Sequence, residues 1–327
     1  MKLTPILVAL IALIALPAWA GTVGFQELTI TDGSDKPLTV GVWYPTEAAA
    51  TPTTLQTFTQ TVAAGAPVAG HALPLVVMSH GTGAWYGMHY DTALALAEAG
   101  FVVAAVTHTG DNYEDHSQAT MIWARSGQIK RLIDYMLGEW PDHARIDANR
   151  VGMFGFSAGG FTTLVVAGGV PRLARIMPHC QVHPDYFDCG LVKNVPNLAS
   201  QVDSLPDSAW THDPRVRAAV VATPALGFTF GPEGLKGVTI PIQLWRGDGD
   251  HILPNPEYAE AVRVALPRPP EYHVIANADH FDFQAPCSAQ LQKFAPDICI
   301  ERPGFDRAAF HAAFDDAVVR FFKKTLD

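Results

Sequence analysis

The run VGMFGFSAGGF, Val151 to Phe161, narrows the choice of fold more than any other stretch. VGMFGF reads as a strand buried on both faces, and the small residues after Ser157 read as a helix. No residue is left over for a loop, so Ser157 must itself be the corner. Gly155, Gly159 and Gly160 weaken strand and helix alike and need a local reason. Side chains two before and two after the serine would collide at so sharp a bend. Gly155-Phe156-Ser157-Ala158-Gly159 is thus G-x-S-x-G in the strand–turn–helix setting that gives the pattern meaning. It lifts a hydroxyl clear of a sheet at a helix N-terminus, where developing negative charge is favoured. A serine merely capping a helix would not require the apolar strand before it.

The rest of the chain supplies such a sheet. From residue 74 onward, apolar runs (PLVVMS, FVVAAVTH, VGMFGF, VRAAVVAT, TIPIQLWRG, EYHVIAN) alternate with helical patterns near 91–100, 119–139, 158–168, 256–266 and 305–325. This predicts an α/β fold with a mostly parallel central sheet covered by helices on both faces. LTVGVWYP and TVGFQELTI are expected to pair ahead of it. Residues 48–72, rich in Ala, Thr, Pro and Gly, read as a long loop. Residues 170–214 interrupt the alternation with several prolines, two cysteines and aromatics, and read as an ordered cap insertion.

Residues 1–20 have the form of a secretory signal: Lys2, an apolar run from Ile6 to Leu16, and Ala18-Trp19-Ala20 before the cut. The apolar run is short for a membrane span, so no stable membrane anchor is expected. The remaining 21–327 would form one domain, periplasmic or extracellular. Export makes disulfides the default for Cys180, Cys189, Cys287 and Cys299. Of three possible pairings, Cys180–Cys189 and Cys287–Cys299 each staple one loop. C-x-x-C spacing is missing, which argues against zinc. With 22 basic against 32 acidic residues and no basic run, nucleic acid is a poor partner. Nothing in the sequence fixes the oligomeric state.

A serine hydroxyl needs a base. In strand–turn–helix hydrolases the chain order is serine, acid, histidine. Of 13 histidines, His280 in NADHFDF lies in the loop after the last predicted strand and is the candidate base. The preceding strand ends in WRGDGDHILP, which offers Asp250 as the acid, with Asp248 shaping the turn. The oxyanion would be met by the amides of Ala158 and Thr82, the latter in the glycine-rich loop Ser79-His80-Gly81-Thr82-Gly83. Trp85 and Tyr86 are candidate pocket residues. His108 and Asp111 in THTGDN are too few for a metal site and read as a structural turn.

Together, VGVWYP, LVVMSHGTGA, GFVVAAVTHTGD, RIDANRVGMFGFSAGGFTTL, RVRAAVVATPALG and ADHFDF resemble the α/β-hydrolase superfamily. More narrowly they resemble its secreted dienelactone hydrolase-like group, related to platelet-activating-factor acetylhydrolases. The resemblance implies hydrolysis without cofactor or metal. Two departures stand out: Ser157 occupies the place of the dienelactone hydrolases' cysteine, and Thr223 the place where the acetylhydrolases carry their acid. The expected activity is cleavage of small carboxyl esters through an acyl-enzyme. Alternatives are a polyester or cutin hydrolase, which needs an open cleft, a peptidase acting on small amides, or a non-catalytic binding module on the same fold.

Overall fold

The computed structural model describes residues 21–327 apart from Ser34, Asn194 and Ser204. The expected signal at 1–20 lies outside the described residues. Within them, ten strands form one sheet: β1 (Thr22–Asp32), β2 (Asp35–Thr46), β3 (Thr51–Leu55), β4 (Phe58–Ala64), β5 (Leu73–Ser79), β6 (Val102–Thr107), β7 (Ile146–Phe156), β8 (Val216–Ala222), β9 (Ile242–Gly247) and β10 (Glu271–Ile275). Their order is β10-β9-β8-β7-β5-β6-β2-β1-β4-β3. From β6 to β10 neighbouring strands run parallel, whereas β2 is antiparallel to both β6 and β1.

The predicted class is therefore what the chain adopts. Residues alternate along the central strands between two cores. Val76, Met78, Phe154 and Phe156 face α1 (Tyr90–Glu98) and α10 (Arg307–Leu326). Leu75, Val77, Val151 and Met153 face α2 (Ala124–Gly138). On that second face α3 (Ala158–Val166) packs through Phe161, Leu164 and Val165. Strands covered on both faces carry continuous apolar runs, which is why they were legible.

The loop expected over 48–72 is corrected. It holds the β3–β4 hairpin, paired in register from Thr51↔Val62 to Leu55↔Phe58 and joined to the sheet where β4 meets β1. Threonine is β-branched and favours strands, so its abundance there marked extension rather than a loop. Pro52 is tolerated because β3 is the edge strand.

Between α3 and β8 stand three short helices, α4 (Ile176–Val182), α5 (Phe187–Val192) and α6 (Leu198–Asp203). The Cys180–Cys189 disulfide ties α4 to α5, and Leu173, Ile176, Leu198 and Val202 join the core around α3. The second bridge, Cys287–Cys299, closes a loop that carries α9 (Ala289–Phe294). Two further helices, α7 (Gly231–Leu235) and α8 (Ala259–Ala265), flank β9 in sequence. Among the described residues no helix is long and apolar enough to cross a membrane.

Candidate active site

The parallel strands all end on one side, where α/β sheets gather ligand-binding loops. Ser157 follows β7, Asp250 follows β9, His280 follows β10, and Ser79–Gly83 spans the end of β5. Ser157 sits at φ 55°, ψ −117°, a conformation that non-glycine residues rarely adopt. Its amide donates to Ala222 O (2.9 Å), and its carbonyl accepts from Phe161 N (3.1 Å) and Ala225 N (3.0 Å). The corner is pinned on both sides.

The glycines now have their reasons. A Cβ at Gly155 would lie 2.1 Å from the Gly159 carbonyl oxygen. At Gly159 it would lie 1.9 Å from the Ser79 carbonyl oxygen, so the start of α3 rests directly on the end of β5. At Gly160 a Cβ would lie 2.9 Å from Pro224 Cα, after β8.

The structure brings Ser157, His280 and Asp250 together. His280 Nε2 is 3.0 Å from Ser157 Oγ, and His280 Nδ1 is 2.9 Å from Asp250 Oδ2. All three are buried, at 8%, 2% and 7% exposure, which keeps competing water away from the hydroxyl. A carboxylate oxygen only accepts, so Nδ1 carries the proton and Nε2 is free to accept the serine's. Asp250 is itself held, its Oδ1 accepting from the amides of Ile252 (3.0 Å) and Leu253 (2.8 Å). Asp248 behaves as the expected turn former, accepting from Asn277 N at 2.6 Å.

Thr82 and Ala158 both line the small apolar pocket that opens on Ser157, about 60 Å³ in volume and walled by Leu173, Ile176, Leu198 and Val202. The Ala158 amide is one of the helix N-terminal donors without an intrahelical partner. Gly81 lies so close that a Cβ there would be 3.3 Å from Ser157 Cβ. Trp85 and Tyr86 part company. Trp85 lines a second hollow that shares Thr82 with the first. Tyr86, expected beside it, turns away: its ring packs on Trp43 and its hydroxyl donates to Glu27.

Sequence reasoning missed what holds the Ser79–Gly83 loop. Arg125 of α2 is 2% exposed. It donates to His80 O (2.6 Å) and Gly81 O (3.2 Å) and pairs with Asp111 (2.9 Å). Asp111 in turn accepts from Gly83 N at 2.9 Å. His108 Nδ1 donates to Gln128 Oε1 (2.7 Å), its Nε2 accepts from Ser79 Oγ (2.8 Å), and its amide donates to His80 Nε2 (3.0 Å). Burial, reinforced by the nearby Arg125 charge, pushes the pKa of both His80 and His108 well below the usual imidazole range, so both are neutral. The turn expected at His108 and Asp111 thus belongs to a buried polar network. Its one legible signal was an arginine on the apolar face shared by Ile129, Leu132 and Ile133.

The His280 loop has its own supports. Asp279 accepts from His280 N (2.7 Å), His251 Nδ1 (2.6 Å) and Arg302 (2.6 Å). Asp282 accepts from Asp279 N (2.8 Å) and Arg307 (2.8 Å) and also pairs with Arg302. Arg302 and Arg307 both follow the Cys287–Cys299 loop. Elsewhere, donor atoms of Asp91, His311 and Asp315 lie within 4.8 Å of one another. They already bond internally: His311 Nδ1 pairs with Asp91 (2.7 Å), His311 Nε2 donates to Asp282 O (2.8 Å), and Asp315 accepts from Thr92 Oγ1 (2.6 Å).

A model of the X-Pro dipeptidyl-peptidase (S15) family matches residues 32–222, more than half of the chain. The chain belongs to that family. It is a hydrolytic enzyme of the α/β-hydrolase superfamily. The matched span includes Ser157 and Thr82 and ends before Asp250 and His280. A ferulic acid esterase from Streptomyces cinnamoneus is similar in fold, with TM-score 0.64 and 19% identity over 96% of this chain and 92% of that one. A comparison with curated proteins gives no match. The similarities support the superfamily and do not extend to the dienelactone hydrolase group.

Proposed function

We propose that the chain is a serine esterase in which Ser157 is the nucleophile, His280 the general base and acid, and Asp250 the residue that holds the imidazole. The observation that carries this is the buried relay from Asp250 Oδ2 through His280 to Ser157 Oγ, with both links near 3 Å, at the mouth of an apolar pocket. Ser157 Oγ attacks the ester carbonyl as Nε2 takes its proton. The tetrahedral oxyanion is met by the Ala158 and Thr82 amides. His280 returns the proton to the leaving alcohol, and a water activated the same way releases the acid.

Short acyl groups fit the small inner pocket. The 170–214 helices cover it and act as a cap on a single domain spanning 21–327. The likeness to dienelactone hydrolases and acetylhydrolases enters only as ester chemistry, given Ser157 and Thr223 at the two departing positions. The disulfides support export after cleavage behind Ala20.

The family's name favours a second reading, a peptidase that removes an X-Pro dipeptide. The ammonium of such a substrate needs an acidic partner, and Asp188 is the carboxylate on the inner pocket wall. Asp188 Oδ1 accepts from Tyr258 OH (3.0 Å) and Cys189 N (3.0 Å), while its buried Oδ2 has no partner, so one oxygen is left to meet such an ammonium.

A fluorophosphonate should label Ser157, and Ser157→Ala should lower turnover of p-nitrophenyl acetate by about 10⁴–10⁶. Turnover that survives the change would refute the assignment. Faster release of p-nitroaniline from an X-Pro anilide than of p-nitrophenol from the ester would establish the peptidase instead.

A further inference from the structure

Two hollows of very different size share Thr82, and Ser157 lines the inner one. The inner one holds about 60 Å³. The outer one holds about 660 Å³ and reaches the site through Thr82, which lines both. The outer wall comes from several separate segments, among them the hairpin tip at Gln56 and Thr57, Trp85 and Met88 after the Thr82 loop, Phe281 after β10, and α9. These are fastened to one another. Ser288, the N-cap of α9, donates to Thr57 O, and Ala285 N donates to Met88 O at 3.0 Å. The Cys287–Cys299 bridge closes the loop that carries α9. Phe294 stands on the rim, 74% exposed, where an isolated phenyl ring gains nothing from water.

Which half of an ester enters which hollow follows from proton delivery. The histidine hands its proton to the leaving oxygen, so the alcohol departs on the histidine side. Phe281, next to His280, lines the outer groove. The His280 loop contributes nothing to the lining of the inner pocket, which is bounded by Ser157, Ala158 and the cap helices.

Building on the esterase reading, we infer that the outer groove is the alcohol site, and that the enzyme acts on esters of a short acid with a bulky, apolar, aryl-bearing alcohol. Phe294, Trp85 and Phe281 are its specificity residues.

Two isomeric esters test this without changing overall size or hydrophobicity: phenylpropyl acetate, with its bulk in the alcohol, and ethyl phenylpropanoate, with its bulk in the acid. The wild-type enzyme should favour the first by at least tenfold in kcat/KM, since even small fillings of an apolar site are worth about that much. Phe294→Ala, a surface change, should narrow the preference for phenylpropyl acetate over ethyl acetate about three- to tenfold, mainly through KM. Gln290→Trp, which crowds the groove from α9, should narrow it further. Equal or reversed preference between the isomers, or a preference untouched by both variants while ethyl acetate is still turned over, overturns the groove assignment and leaves the esterase reading standing. Failure to hydrolyse any of the three esters, with no fluorophosphonate label on Ser157, takes both readings down together.

Discussion

The loop at the end of β5 brings backbone up to Ser157 and the loop after β10 brings the His280 side chain, and they are fastened in opposite ways. The first is held from behind by neutral His80 and His108 and by one ion pair, Arg125–Asp111, whose side chains are 3% and 4% exposed. The second is held by Asp279 and Asp282, reached by Arg302 and Arg307 with side chains 29% and 15% exposed. A dry network is costly to break and indifferent to salt, whereas partly wetted ion pairs are weaker and screened. The difference would suit the tasks proposed for them: oxyanion donors hold still as charge develops, while the base shifts between nucleophile and leaving group.

The largest effect should come from Arg125→Ala. It leaves the Asp111 charge unpaired in the core and takes a donor from the His80 carbonyl, and losing one partner of a buried pair destabilises by about 3–5 kcal/mol. Urea unfolding should show that loss. Activity at temperatures where the variant remains folded should fall by about 10² or more, the scale of a displaced oxyanion donor. A fully active, stable variant would mean that the network does not position Thr82.

Next comes the disulfide on the opposite side. Replacing Cys287 and Cys299 by serine frees a loop with a sequence separation of 12 and should lower stability by about 2–3 kcal/mol. Hydrogen exchange should quicken around Asp279–Phe283 and α9 while Ser79–Gly83 stays protected. Equal loosening of both loops would erase the contrast between them.

Arg302→Ala should be milder, lowering kcat a few-fold. The wild-type enzyme should lose activity toward 1 M salt more than this variant does, because the screened contact is already gone.

The smallest effect concerns pH. Asp315, behind the histidine loop with Asp91, His311 and Thr92 around it, is pushed up to about 7 by burial, with the Asp91 charge adding to it. A carboxyl raised above its unfolded value of about 3.9 favours the fold while protonated. Its contribution is complete in acid and is lost as pH rises through about 7. Asp315→Asn should therefore raise Tm by a few degrees at pH 8 and change little at pH 5. An equal shift at both would show that the carboxyl does not titrate there.

Much of this was legible before any coordinates. Ser157 and Asp250 could be placed because each follows a strand buried on both faces, and such strands announce themselves as apolar runs; His280 follows the half-exposed edge strand β10 and was placed by its order in the chain. The Cys180–Cys189 and Cys287–Cys299 bonds followed from short loops. The β3–β4 hairpin hid behind threonine and proline, which serve turns and edge strands alike. Arg125 hid because its partners, His80, Gly81 and Asp111, are far off along the chain. Of the outer groove only Trp85 was anticipated, since its walls come from positions such as 56, 85 and 294, which only folding makes neighbours.

The touch between the Gly159 main chain and the Ser79 carbonyl has a lasting consequence. It seats the turn that carries Ser157 on the end of β5 by main-chain contact, so substitutions in the walls of either hollow leave that junction in place.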